Sequence, residues 1–248
     1  ESVRVIDHMN AIGAPFAREY GGQLATRSFG GVQVSRTYYT RGQTGQQLQV
    51  AAAQALLRQV STGQVNLRTR TEMLDLIVVE GRAQGIVVRD LVTGKISAVT
   101  GDAVVLATGG AGHLYPFTTN PEVATGDGIA LALHAGASVR DLEFLQFHPT
   151  GMVWPPSVKG ILVTEGVRGD GGVLKNSEGK RFMFDYIPDV FKGQYAETEE
   201  EADQWLKDND SARRTPDLLP RDEVARAINE EVKAGRGTPH GGVYLDIA

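Results

Sequence analysis

Cysteine is absent from this 248-residue chain. Disulfides, thiol nucleophiles and cysteine-ligated zinc or iron-sulfur centres are therefore excluded within it. Long apolar runs are missing as well. The longest apolar stretches, around Leu74 to Val79 and Ala103 to Ala107, are strand-sized, whereas a membrane span needs roughly 20 apolar residues. A basic excess is also lacking: 25 Lys and Arg face 30 Asp and Glu, for a formal net charge of -5. No Lys/Arg group is interleaved with aromatics, so the composition argues against nucleic acid as a partner. No metal site is expected. The opening residues lack the basic, apolar and small-residue order of a signal segment, and no Gly-x-Gly-x-x-Gly opens the chain.

What remains is a globular composition, 41% apolar, enough for packed cores in one large domain or a domain and a half. Helical spacing at Val5, Ile6, Met9 and Ile12 is under way at the first residue, and Tyr244 to Ala248 reads as a strand. An excerpt of a longer polypeptide is the expectation. Between these ends, Leu24 to Gly31 and Val34 to Tyr39 read as short extended segments. A helix is expected from Thr44 as N-cap, with Leu48, Ala52, Leu56 and Val60 forming a stripe over a sheet and Gly63 beyond its end. Val65 to Val79, Ala83 to Leu91, Lys95 to Thr100 and Ala103 to Thr108 read as strands joined by hairpins. The last of these is apolar without alternation, as in a strand buried on both faces. A helix follows Thr125 and stops at Gly136, and a strand through Leu142 and Phe144 leads to His148. Beyond it come a turn at Ser177 to Lys180, an acidic run from Glu197 to Asp203 read as solvated surface, and a helix from Asp222 to Gly235. A domain boundary is expected near 146.

Chemistry-bearing residues gather in two places. Thr108-Gly109-Gly110 ends the apolar run, where missing Cβ atoms let backbone approach a ligand or simply form a tight turn. Asp127, between Gly126 and Gly128, sits at the positive end of a helix, as a stabilising charge or as a carboxylate facing a cofactor. The second place holds His148, Thr164, Glu165 and Arg168. A Glu and an Arg three residues apart are expected to pair, either as a structural salt bridge or as part of a closed anion pocket. Arg221, after Pro220, is not singled out by composition.

Taken in order, these motifs are Ser28-Phe29-Gly30-Gly31, Thr44-Gly45, Ala107 to Gly110, Thr125 to Gly128, Leu142 to Gly151, Thr164 to Gly169 and Arg221-Asp222. So ordered, they resemble the flavoprotein subunit of the succinate dehydrogenase and fumarate reductase family across nearly the whole chain. The resemblance implies an α/β fold with α+β elements: part of a Rossmann-like FAD-binding domain with an antiparallel β-meander over 1–145, and an incomplete capping domain over 146–248. It implies FAD as cofactor, its adenine part met by backbone around Glu72 and Met73, with Ala107, Thr108, Gly109, Gly110 and Asp127 holding the rest. The family's covalent attachment residue has no counterpart in this sequence. His148 and Thr164 would contact succinate or fumarate, Phe29 would lie beside the flavin ring, and protons would pass through Arg221, Glu165 and Arg168. Electrons would leave to an iron-sulfur subunit and quinone, with membrane anchor subunits holding the complex peripherally at the cytoplasmic face of the inner (plasma) membrane. Two other readings stand beside it. L-aspartate oxidase shares these motifs, although Gly151 and Gly166 favour the succinate and fumarate group. A flavin-free, partner-binding scaffold would keep the fold alone.

Overall fold

The computed structural model describes residues 2–31 and 34–248; Glu1, expected to open the first helix, lies outside them. In chain order the elements are α1 (Ser2–Ala11), β1 (Thr26–Arg27), β2 (Thr37–Tyr38), α2 (Thr44–Ser61), β3 (Thr71–Val79), β4 (Arg82–Asp90) and β5 (Ile96–Thr100). They continue with α3 (Asp127–His134), α4 (Glu165–Gly169), β6 (Val173–Lys175), α5 (Glu199–Lys207), α6 (Arg221–Lys233) and β7 (Tyr244–Asp246). Helix and strand are mixed, and every pairing between these strands is antiparallel. By contacts the chain divides into one unit of residues 1–55 with 146–248 and another of 56–145. One edge of this division falls between Leu145 and Gln146. The first 55 residues, however, pack with the later part of the chain. No helix among the described residues is long and apolar enough to cross a membrane.

The unit of 56–145 is built on the meander β3-β4-β5. Its hairpins turn at Glu80-Gly81 and around Thr93-Gly94, where positive φ values at Glu80, Gly81 and Gly94 suit tight reversal. Asp90 fixes the second turn by accepting from the backbone N–H groups of Val92 and Thr93 at 2.9 and 2.8 Å. Two expectations fail here. Residues 65–70 precede the ladder instead of joining it, and 103–108 form no strand. Val105 is 88% exposed, so the run expected to be buried on both faces has no strand beside it among the described residues, and without a ladder its apolar pattern cannot be used. The strand expected through Leu142 and Phe144 is likewise absent, with both side chains exposed. Helix α3 follows its signals more closely. Gly126, not Thr125, is the N-cap, while Thr125 donates its hydroxyl to Asp127 at 2.7 Å. Gly136, at φ +88°, ends the helix with the paired closing bonds of a left-handed stop.

The other unit has two cores. Ala14, Phe16 and Ala51 pack with Ile6, Met9, Leu24, Tyr38 and Leu48. Helix α2 thus buries only its first half against the α1 loop and β2. Ala52 and Leu56 are exposed, and the stripe expected to cover a sheet does not do so. Thr44 is the first helical residue, its hydroxyl accepting from the Thr40 N–H at 3.2 Å. The larger core joins Leu174, Phe182, Met183, Tyr195, Leu219, Val224 and Ala227, each large side chain contributing roughly 1.5–3 kcal/mol by burial. The acidic run is more than solvated surface. Thr198 caps α5, whose first turn carries Glu199, Glu200 and Glu201, favourable against the helix dipole. Ala202 and Trp205 are buried on its inner face. Its acids hold two arginines: Arg213 reaches Glu201 at 2.6 Å and Glu197 at 2.9 Å, and Arg181 reaches Asp203 at 2.7 Å.

Candidate active site

The site is assembled within the unit of 1–55 and 146–248 by three segments that close on helix α4. Residues 150–152 pair with 161–163 through Val163 N–H to Thr150 O and Met152 N–H to Ile161 O, both 2.9 Å. The Thr150 hydroxyl adds a bond to Val163 O at 2.9 Å. This pairing carries His148 to the side of α4 where Thr164, the N-cap, accepts from the Gly166 N–H at 3.3 Å. From the other side, the Ser28–Gly31 loop lies directly on the helix. A Cβ at Gly30 would stand 2.3 Å from Glu165 Oε1, and one at Gly169 2.9 Å from Ser28 O. Glycine is required at both positions for the approach. The third segment, 214–221, supplies Arg221 as the first residue of α6.

Glu165 stands at the centre, 2% exposed. Arg221 Nε donates to its Oε2 at 2.7 Å, and the Gly30 N–H donates to its Oε1. Arg221 Nη1 donates onward to Gln146 at 2.9 Å. The expected pairing of Glu165 with Arg168 is not formed. Arg168, fully buried, donates Nη1 to the Asp217 carbonyl, and its Nε and Nη2 have no hydrogen-bond partner among the described residues. At i,i+3 the two side chains are neighbours on the helix, and other partners win: the Asp217 carbonyl takes Arg168, and Arg221 takes Glu165. Burial pushes the Arg168 pKa down against the opposing pull of Glu165 and Asp217. Asp217 is itself buried, which raises its pKa. Its carboxylate accepts from Leu174 N–H at 2.8 Å and from the Thr215 hydroxyl at 2.7 Å.

His148 is half-buried, with Nδ1 accepting from the Thr150 N–H at 3.3 Å. Burial, then the positive charges of Arg221 and Arg168, lower its pKa from 6.5 to about 4. The ring is neutral at pH 7, and because Nδ1 accepts a bond, its proton lies on Nε2. Thr164 is exposed and His148 and Arg221 are partly exposed, while Glu165 and Arg168 are buried. Such an arrangement can hold a carboxylate and move a proton between Arg221 and Glu165. Phe29 is held by its carbonyl, which accepts from Arg214, and the Arg27 guanidinium lies 5.2 Å from its ring. Arg27, Arg214 and Asp217 lie outside every motif, and Gln146, inside the Leu142 to Gly151 motif, gains its role only when the fold brings Arg221 to it; all four depend on contacts between distant segments.

In the unit of 56–145 the remaining candidates divide. Thr108, Gly109 and Gly110 are brought to Asp127: the Gly126 N–H donates to Gly110 O at 3.1 Å, and a Cβ at Gly128 would strike Thr108 Oγ1 at 1.8 Å. Ala107 to Gly110 are exposed, and their backbone N–H groups make no backbone hydrogen bond among the described residues. This is an open backbone cradle with a helix N-terminus and a carboxylate beside it. Glu72 and Met73 lie on β3, an edge strand of the meander, and the Glu72 carboxylate accepts from Arg89 Nε at 3.0 Å. No group of three or more His, Cys, Asp or Glu among the described residues could hold a metal ion.

The family model described as "FAD binding domain" matches residues 1–248. The sequence is 40% identical over 238 residues to a fumarate reductase (CoM/CoB) subunit of Methanothermobacter marburgensis, covering 95% of this chain and 38% of that protein. It is 38% identical over 238 residues to the fumarate reductase flavoprotein subunit of Mycobacterium tuberculosis, covering 95% and 37%. Among solved structures, the E. coli quinol fumarate reductase superposes with a TM-score of 0.82 at 35% identity, covering 97% of this chain and 38% of that one. Mycobacterium smegmatis Sdh1 in complex with UQ1 does so with a TM-score of 0.64 at 45% identity, covering 98% and 37%. The chain therefore spans somewhat over a third of the length of these relatives.

Proposed function

Given that the chain belongs to the FAD binding domain family, we propose that it carries the dicarboxylate site of a flavoprotein subunit interconverting succinate and fumarate. The observation that carries this reading is the buried Glu165 carboxylate, held between Arg221 Nε at 2.7 Å and the Gly30 N–H. A buried ion pair is costly to assemble, and this one reaches the surface through the half-exposed Arg221, whose charge acts on His148.

The exposed backbone of Ala107, Thr108, Gly109 and Gly110, with Asp127 beside it, fits a cofactor rich in phosphate and hydroxyl groups. Glu72 and Met73 would contribute backbone from the edge strand to the adenine part, and Phe29 would lie beside the isoalloxazine. FAD, when bound, supplies the hydride acceptor or donor.

The protein's own residues do the rest. Neutral His148 donates from Nε2, and the Thr164 hydroxyl, which accepts from Gly166, keeps its own proton for a substrate carboxylate. In the oxidation direction Arg221 gives its Nε proton to Glu165 as another of its nitrogens receives the proton leaving the substrate carbon; in reduction the path reverses. Arginine is normally protonated, so the transfer is transient, and Glu165 is the partner that makes it so. Arg168, without a hydrogen bond to Glu165, acts on it as a nearby charge. The functional division places flavin binding in 1–145 and capping in 146–248. Electrons would pass to an iron-sulfur subunit and quinone, with anchor subunits holding the assembly at the cytoplasmic face of the membrane.

The test is an assay of the complete protein with succinate, fumarate and aspartate. Succinate oxidation with an artificial acceptor is expected. Hydrogen peroxide formed from aspartate would move the assignment to an aspartate oxidase.

A further inference from the structure

The far oxygen of Glu165 is met by a backbone group, the Gly30 N–H, and the turn that presents it lies outside every ladder among the described residues. Beyond Arg27, where β1 ends, the Phe29–Gly31 turn is fixed from segment 214–218. Arg214 Nη2 donates to Phe29 O, and Gly31 N–H donates to Leu218 O at 3.2 Å. Arg214 is 4% exposed and is itself located at both ends. Its carbonyl accepts from the Ala196 N–H at 2.7 Å, and its guanidinium stands 5.7 Å from the Trp205 ring of α5. A carboxylate with one oxygen committed to a fixed N–H cannot rotate, so its other oxygen keeps facing Arg221 at 2.7 Å.

We propose that Arg214 is a positioning residue for proton transfer: by holding the Phe29 carbonyl it sets the Gly30 N–H against Glu165 Oε1 and leaves Oε2 directed at Arg221. This deepens the reading of Glu165 and Arg221 as the proton path and rests on it. It also gives the acidic segment a use, since α5 supplies the surface on which Arg214 lies.

The experiment compares Arg214→Met and Arg214→Lys with the natural protein in the complete, FAD-loaded complex, reading fumarate reduction in H2O and D2O. In the Met variant, which keeps an unbranched apolar side chain and loses the donor, kcat falls about tenfold with KM within about twofold. Its solvent deuterium isotope effect on kcat rises, because proton transfer becomes the slow step, while flavin content is unchanged. The Lys variant, with one donor, lies between. A Met variant with full flavin, natural kcat and an unchanged isotope effect overturns the proposal. Should the Met variant lose its fold or its flavin, the Lys variant decides: a raised isotope effect supports the positioning role and an unchanged one overturns it. Arg221→Lys in the same assay separates the two levels. If that variant turns over normally the proton path itself is wrong, whereas its loss beside an unaffected Arg214→Met refutes only the positioning role.

Discussion

The two units handle polarity in opposite ways. Around α4, charge is buried and locked: Glu165, Arg168 and Asp217 are inaccessible, and each is held by contacts from segments dozens of residues away. In the unit of 56–145 the candidate binding groups are exposed backbone at Thr108 to Gly110, while the acids Glu72 and Asp127 pair within their own hairpin and helix start. The difference is what the two proposed tasks would require. Moving a proton depends on the placement of a few side chains in a dry setting, so small displacements matter. Holding an extended cofactor spreads over many backbone contacts, none of which needs a buried charge.

Variants that sort cleanly into turnover and cofactor affinity would sharpen this contrast, and mixed effects would break it. The largest change is expected for Arg221→Lys in the complete enzyme. Turnover should drop by about 10²–10⁴-fold, the scale of positioned acid-base groups, with FAD still bound, as measured by steady-state rates and the flavin spectrum. Gly128→Ala should do the reverse. Its Cβ would lie 1.8 Å from Thr108 Oγ1, displacing the cradle at a cost of about 1–3 kcal/mol. Titration should show weakened FAD binding, with kcat recovered at saturating cofactor.

The acid response of His148 comes next. Its folded pKa lies below the unfolded one, so its contribution to stability is complete above pH 6.5 and is lost as the pH falls towards about 4. Denaturant unfolding between pH 7 and 4 should show less acid destabilisation in His148→Asn than in the natural protein. The smallest effect belongs to Glu72→Gln. The pair with Arg89 is exposed, such pairs contribute under about 1 kcal/mol, and the proposed FAD contact there is backbone. A change in FAD affinity beyond about twofold would make the Glu72 side chain a ligand.

Local signals were readable wherever the chemistry is local. The hairpin turns at Glu80-Gly81 and Thr93-Gly94, the Gly136 stop and the α6 face with Val224 and Ala227 follow from residue type and spacing alone. Residues 103–108 misled because an apolar run implies burial only if neighbouring strands exist to pair with it. Helix α2 misled because its periodicity continues past the point where its packing partners end. In the site, glycines at 30, 166 and 169 marked close approach without naming what approaches. The partner of Glu165 could not be read from the Glu-x-x-Arg spacing, since the contest between Arg168 and Arg221 is settled by the Asp217 carbonyl. Asp217 and Arg214 left no local trace because their work is to join segments far apart in the chain.

The central claim is that Glu165 and Arg221 act as one proton-transferring unit. The direct measurement is a double-mutant cycle on fumarate reduction, with single-turnover rates for Glu165→Gln, Arg221→Lys and the double variant in the FAD-loaded complex. The account predicts that the double variant is no slower than the worse single by more than about twofold, because either change breaks the same step. Losses that multiply would contradict it.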